Sequence, residues 1–152
     1  MINNDILRRT CTLFNLDNDN IVQLFLLGQH EITYDELATF FKEKNDPKYC
    51  QLQDNQLASF LNGLIVKQRG PTDKPLRQSE QLLSNNIIFN KLKIALALQA
   101  EEVIDILSSA DVSLNKYELS SFFRHTENKH YKTCPDHVLS GFLNGLKYKI
   151  SQ

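Results

Sequence analysis

Apolar residues recur along this chain with the spacing of an amphipathic α-helix. One stretch places apolar side chains at positions i, i+3, i+4, i+7 and i+8, namely Leu57, Phe60, Leu61, Leu64 and Ile65. A second stretch follows nearly the same rule, at Leu139, Phe142, Leu143 and Leu146. No segment alternates apolar and polar residues for long, as a half-buried strand would. The pattern therefore predicts an all-α protein.

The chain also repeats itself. Residues 3–70 align without a gap with residues 85–152, at an offset of 82. The five-residue string FLNGL occurs at 60–64 and again, at the same offset, at 142–146. Further identities at this offset pair Asn3-Asn4 with Asn85-Asn86, Phe40-Phe41 with Phe122-Phe123, and Tyr49 with Tyr131. Such agreement indicates an internal duplication.

The duplication predicts two tandem copies of a four-helix domain. The first copy spans 1–70 and the second 85–152, and a polar, proline-containing segment at 71–84 is expected to link them. Thr33 stands three residues before Glu36, and Asn115 three before Glu118, the spacing of a capping box that starts the third helix of each copy.

Helices are predicted at 3–15, 18–28, 33–44, 54–69, 85–98, 100–109, 115–125 and 136–149. The stretch Ile88 to Leu98 is expected to be the most buried helix, because its end from Ile94 to Leu98 carries no charge.

These features together resemble one family. The tandem copies, the Asn-Asn-Asp-Ile-Leu opening at 3–7, the FLNGL string and the Lys-Gln-Arg-Gly that ends the first copy resemble the YehS-like family of bacterial proteins. The resemblance covers essentially the whole chain. It implies a small bacterial cytoplasmic protein made of two all-helical domains, of unknown function and with no catalytic residues to transfer.

The family pattern also places a cysteine two residues before the aspartate that opens the fourth helix. Cys134 and Asp136 match this pattern, whereas Leu52 stands at the corresponding place before Asp54. The departure argues against a cysteine mechanism shared by both copies.

Composition excludes several classes of protein. Lys and Arg number 17 against 18 Asp and Glu, for a net charge of -1, and this balance argues against bulk attraction to a polyanion. The longest apolar runs fall far short of the ~20 residues that span a bilayer, and no basic, apolar leader opens the chain. The three cysteines form no CxxC pair, so we expect reduced thiols, a cytoplasmic location and no membrane partner.

Charge is nevertheless distributed unevenly, since both copies run from acidic to basic. Each basic part combines cations with a tyrosine that could stack on a base, at Lys42, Lys48 and Tyr49 in the first copy and at Arg124, Lys129, Tyr131 and Lys132 in the second. Such paired patches are candidates for contact with a phosphate backbone. The alternative is that these are cations near helix C-termini and in solvated loops.

An Asn-Gly pair recurs inside the fourth helix of each copy, as Asn62-Gly63 and Asn144-Gly145. A glycine inside a helix costs about 1 kcal/mol relative to alanine. We interpret the pair as structural: the glycine admits a neighbouring helix and the asparagine bonds to a loop backbone. Contact with a ligand is the alternative.

Metal-ligating residue types gather in the second copy alone, at His125, His130, Cys134 and His137. Their spacing is irregular and Pro135 favours a loop, so we predict neither a metal site nor a cofactor. The chain lacks GxSxG, P-loop, GxGxxG, HExxH and CxxC motifs, and no catalytic residue is predicted.

The sequence therefore favours a non-enzymatic, adaptor-type interaction protein whose expected partner is a protein. The alternative is a module that binds RNA or single-stranded nucleic acid through the duplicated basic patches. The oligomeric state is left open.

Overall fold

The computed structural model describes residues 1–70 and 77–151, which form eight α-helices and no strand. In the first half of the chain these are α1 (Asn3–Leu13), α2 (Asn18–Leu27), α3 (Tyr34–Phe40) and α4 (Asp54–Arg69). In the second half they are α5 (Asn85–Ala95), α6 (Ala100–Ser109), α7 (Lys116–Ser121) and α8 (Asp136–Ser151). Each helix of the second half starts 82 residues after its counterpart. The predicted all-α fold and its duplication are confirmed.

The chain divides into two compact units, Met1–Leu83 and Ser84–Gln152. Of the predicted linker, 71–76 lies outside the described residues, and 77–83 belongs with the first unit. The Leu83 amide donates to Asp54 Oδ2 at 2.8 Å, and the Asn62 side chain donates to the Gln78 carbonyl at 3.4 Å. This segment therefore packs against α4.

Aromatic rings fill the centre of each unit. In the first unit Phe25 on α2 lies 5.3 Å from Phe60 on α4, measured between ring centroids. In the second unit Phe89 on α5 lies 4.6 Å from Phe142 on α8. At the offset of 82, Phe60 aligns with Phe142. Phe25, however, aligns with Leu107, and Phe89 aligns with Leu7. The second central phenylalanine therefore comes from the second helix in one unit and from the first helix in the other. The aligned leucine fills the remaining place, so the core volume is conserved.

The repeated Asn-Gly pair lies where two helices touch. A Cβ added at Gly63 would come within 1.8 Å of the Leu24 carbonyl oxygen on α2, and one added at Gly145 within 2.1 Å of the Ile106 carbonyl oxygen on α6. Only glycine permits backbones this close. The two asparagines differ, because Asn62 is buried and Asn144 is exposed.

Both predicted capping boxes are confirmed. The Thr33 hydroxyl accepts from the Glu36 amide at 3.0 Å, and Glu36 Oε1 accepts from the Thr33 amide at 3.3 Å. Asn115 and Glu118 form the same reciprocal pair at 2.8 and 3.1 Å. These bonds satisfy backbone donors at the starts of α3 and α7.

Several predicted helix ends are wrong by a few residues. The sequence pattern extends the third helix of each copy to 44 and 125, but α3 ends at Phe40 and α7 at Ser121. The reason is tertiary, since the carbonyls of Phe40 and Phe122 accept hydrogen bonds from distant asparagine side chains. The predictions to 15, 28 and 98 also run past the ends of α1, α2 and α5.

The expectation that Ile88 to Leu98 forms the most buried helix is wrong. That stretch includes the half-buried Ile94 and the exposed Ala97, whereas α4 has an unbroken buried run at 57–65. Apolarity of the sequence does not identify α4 as the most buried helix, because α4 also buries the polar residues Ser59 and Asn62.

Among residues 1–70 and 77–151, no helix combines the length and apolarity needed to cross a membrane.

Candidate functional site

Two equivalent loops carry the basic and tyrosine residues that are candidates for contact with a partner. The first basic loop, residues 41–53, joins α3 to α4, and the second basic loop, residues 123–135, precedes α8. The first contains Lys42, Lys48 and Tyr49. The second contains Arg124, Lys129, Tyr131 and Lys132. The structure thus places each predicted cluster within one connection of its unit.

The base of the first basic loop is fixed by one buried side chain, Asn4 on α1. Its Nδ2 donates to the carbonyl of Phe40 and to that of Cys50, both at 3.0 Å. Its Oδ1 accepts from the Leu52 amide at 2.9 Å. One carboxamide therefore joins the end of α3 to the far side of the loop.

Asn86 on α5 makes the same three bonds in the second unit. Its Nδ2 donates to the carbonyls of Phe122 at 2.9 Å and Lys132 at 2.8 Å, and its Oδ1 accepts from the Cys134 amide at 2.9 Å. Because the pattern recurs atom for atom, the loop conformation is a property of the repeat.

The preceding asparagines close each loop at the next helix. Asn3 Nδ2 donates to the Leu52 carbonyl at 3.0 Å and to Asp54 Oδ1 at 2.7 Å. Asn85 makes the equivalent bonds to Cys134 and Asp136, at 3.0 and 2.7 Å. The repeated Asn-Asn pair is visible in the sequence, but its role in closing the loop is not. The available signal was a polar residue three positions before the buried Leu7 and Phe89, on the same helix face.

The tip of each loop is a hydrogen-bonded turn. In the first loop Asp46 Oδ1 accepts from the Lys48 amide at 2.8 Å, and the Asp46 carbonyl accepts from the Tyr49 amide at 3.0 Å. In the second loop Asn128 accepts in the same way from His130 at 2.8 Å and from Tyr131 at 2.9 Å. Asx turns of this kind order a loop without help from a core.

These turns present cationic side chains together with half-exposed tyrosines. Tyr49 and Tyr131 are half-buried, and Lys48 and Lys129 are exposed. Each loop has three Lys or Arg residues, against two acidic residues in the first and one in the second. Within the part of the chain that the structure describes, the selected cations make no ion pair: Lys42, Lys48, Arg124, Lys129 and Lys132. Both loops therefore present unpaired positive charge on a fixed backbone.

The second loop also carries histidines, and these are used locally. Tyr117 on α7 shares a hydrogen bond of 3.1 Å with His130 Nδ1. His125 Nδ1 accepts from the Glu127 amide at 3.2 Å. No three His, Cys, Asp or Glu side chains within 1–70 and 77–151 are grouped so as to hold a metal ion. The residues His125, His130, Cys134 and His137 thus do not converge.

Cys134 takes the place in the second core that Leu52 takes in the first, and both side chains are almost fully buried. Burial raises the pKa of the Cys134 thiol to about 12, and burial also raises the pKa of Cys11 to about 12. A thiol must ionise to act as a nucleophile or a metal ligand. These two cysteines therefore act as apolar core residues.

Comparison with known proteins identifies the repeat. A family model described as "Protein of unknown function (DUF1456)" matches residues 3–70 and again residues 85–150. The chain is also 31% identical to "Uncharacterized protein YehS" of Escherichia coli (strain K12) over 147 residues. This alignment covers 96% of the present chain and 94% of the relative. No solved structure matches. The chain therefore belongs to this family of unknown function, and contains its domain twice.

Proposed function

We propose that this protein is a non-enzymatic interaction module of the adaptor type, which contacts an acidic protein partner through the two basic loops. The observation that carries the proposal is the repeated asparagine anchor. In both units one buried carboxamide fixes the loop base, while the tip presents unpaired cations beside a half-exposed tyrosine. A loop ordered before binding loses less conformational entropy on association.

The residue types suit a protein interface. Tyrosine is enriched in such interfaces, and unpaired cations steer an acidic partner and set its orientation. The overall charge of -1 means that attraction depends on the loops and not on the whole surface. Two equivalent loops could engage two equivalent sites, or one extended acidic surface.

Single-stranded RNA or another single-stranded nucleic acid is the second candidate. It is favoured by the adjacency of Lys48 to Tyr49, and of Tyr131 to Lys132, in turns of the same geometry. Stacking on a tyrosine together with contact to phosphate is the usual way of binding a single strand without sequence preference.

The test is affinity isolation of the full-length protein from lysate, with and without nuclease, using two charge-reversed variants. The loop variant combines Lys48→Glu with Lys129→Glu. The control combines Arg69→Glu with Arg77→Glu, which makes the same change in charge at exposed residues outside the loops.

The proposal predicts a defined protein that persists after nuclease, is retained by the control and is lost from the loop variant. Retention of that protein by the loop variant would remove the loops as its contact site. If the bound material disappears with nuclease and binding weakens steeply with salt, the nucleic-acid candidate replaces the first.

A further inference from the structure

The first unit has an open apolar groove that is separate from the basic loops. It lies between the end of α1, one face of α2 and the last turns of α4, and its volume is about 740 Å³. The apolar side chains that line it are Phe14, Leu16, Leu24, Leu27, Leu64 and Val66. Four of them are only half-buried: Phe14, Leu16, Leu27 and Val66. The volume lies within the range of small-molecule sites, and the lining is mainly apolar.

The polar side chains that line this groove are Asn20, Gln23, Lys67 and Gln68. Asn20 comes from the first turn of α2 and Lys67 from the last turn of α4. Lys67 is exposed and makes no ion pair within residues 1–70 and 77–151. A mostly apolar groove thus has one unpaired cation.

The second unit shows which group suits that cation. At the offset of 82, Asn20 corresponds to Glu102 and Lys67 to Lys149. There, Glu102 Oε2 lies 3.5 Å from Lys149 Nζ, so an internal carboxylate pairs with the equivalent lysine across α6 and α8. The first unit has the lysine without the carboxylate. The second unit also has Ser109 where the groove has Leu27.

We propose that the groove of the first unit binds an aliphatic carboxylate, with the hydrocarbon chain against the apolar lining and the carboxylate at Lys67. The ligand carboxylate takes the part that Glu102 plays in the second unit. The apolar lining supplies most of the contact area, and the charged contact sets the orientation. This site uses none of the loop residues, so it goes beyond the function proposed above.

The second copy also suggests a substitution whose carboxylate should pair with Lys67 and so compete with the ligand. Asn20→Glu places the Glu102 side chain type at the aligned position of the first unit. The change is compatible with the helix start, because Asn20 Oδ1 accepts from the Asp17 amide at 3.3 Å and Glu102 Oε1 accepts from the Gln99 amide at 2.9 Å in the same role. Asn18→Glu is the matched control, since Asn18 is an exposed residue of the same turn and does not line the groove.

The experiment is calorimetric titration of the full-length protein with sodium dodecanoate, kept below its critical micelle concentration. We expect binding at one site. Asn20→Glu and Lys67→Gln should each weaken binding roughly tenfold, as expected for loss of one hydrogen bond to a charged group. Asn18→Glu should leave the affinity unchanged.

A second ligand separates the charged contact from general apolar adsorption. Dodecyltrimethylammonium has the same chain length and the opposite charge, so it should bind the wild-type protein more weakly than dodecanoate. Absence of dodecanoate binding, equal binding of the two amphiphiles, or full affinity in Asn20→Glu would each overturn the proposal. Circular dichroism of every variant checks that the helices are retained.

Discussion

At the scale of single residues, the order of each basic loop depends on one carboxamide. Asn4 provides two N–H donors to two carbonyls and one oxygen to an amide, and Asn86 repeats the set. An aspartate has no donor when ionised, and a leucine has neither donor nor acceptor. The position therefore requires asparagine, because the side chain must supply both N–H donors and an oxygen acceptor and must also fit the available space.

Asn4→Ala is expected to destabilise the first unit by about 3 kcal/mol. The substitution leaves the Leu52 amide and the carbonyls of Phe40 and Cys50 without their partner, and a buried group so deprived costs about 1–3 kcal/mol. Urea unfolding measures the loss. Amide hydrogen exchange should show faster exchange at Leu52 in particular.

The control for this variant is Asn45→Ala, a change of the same type at an exposed residue of the same loop. It should change the unfolding free energy by less than about 0.5 kcal/mol. Equal stability of the Asn4 and Asn45 variants would show that water replaces the carboxamide and that the loop is not fixed in this way.

At the scale of helices, four ends share one motif without glycine at its key position. Asn15, Gln29, Ala97 and Asp111 have positive φ, between 51° and 69°, just after α1, α2, α5 and α6. In each case the following residue donates to a carbonyl five residues back, as Leu16 does to Cys11 at 3.0 Å. This is the Schellman arrangement, which glycine usually favours. Because the glycine signal is missing, the sequence overestimated the lengths of α1, α2 and α5.

The contact between the second and third helices uses different chemistry in each unit. In the first unit the Tyr34 hydroxyl donates to Asp19 Oδ1, and this hydrogen bond raises the pKa of Tyr34. In the second unit the aligned residues are Lys116 and Glu101, which form an ion pair, and the hydrogen bond from Lys116 lowers the pKa of Glu101. The helix geometry is preserved while the linking groups change.

Gly63→Ala is expected to destabilise the protein by about 3 kcal/mol or more. The new methyl group would lie 1.8 Å from the Leu24 carbonyl oxygen, so α2 and α4 must separate. Overpacking of a core commonly costs about 1–3 kcal/mol, and here the obstructing atom is backbone and cannot rotate away. Thermal and urea unfolding give the measurement.

Gln68→Ala, at an exposed position of the same helix, controls for helix propensity. It should be close to neutral, since alanine is the better helix former. A Gly63→Ala protein as stable as the wild type would contradict the close helix contact, because alanine would then gain propensity at no steric cost.

At the scale of the whole molecule, the duplication was the strongest signal, and the contacts between distant residues were the weakest. Helical periodicity and capping boxes predicted every helix start to within one residue. The bond from Asn4 to Phe40 spans 36 positions, and periodicity carries no information about such pairing. The cations of the loops were found from charge, and their fixed backbone was not. The proposed ligand site rests on Lys67, which lines the same groove as Asn20, and on the ion pair that Lys149 forms with Glu102 in the second unit. Periodicity does not show that Asn20 and Lys67 line one groove.

Each unit contains the contacts that its own fold requires, so we predict that residues 84–152 fold in isolation. The ring pair of Phe89 and Phe142, the three bonds of Asn86 and the ion pair of Lys149 with Glu102 all lie within this segment. A core of this size supplies at most about 3–5 kcal/mol, so stability should be modest. Far-UV circular dichroism should show a helical spectrum and one cooperative thermal transition.

Phe89→Ala in the isolated segment distinguishes a packed domain from a collection of separate helices. Truncating a buried phenylalanine costs about 3–5 kcal/mol, which is as much as the whole expected stability, so this variant should be unfolded. Equal helicity and equally broad melting of the two segments would mean that the helices form without a specific core. A wild-type segment unfolded under all conditions would show that the duplicated domains depend on one another for folding.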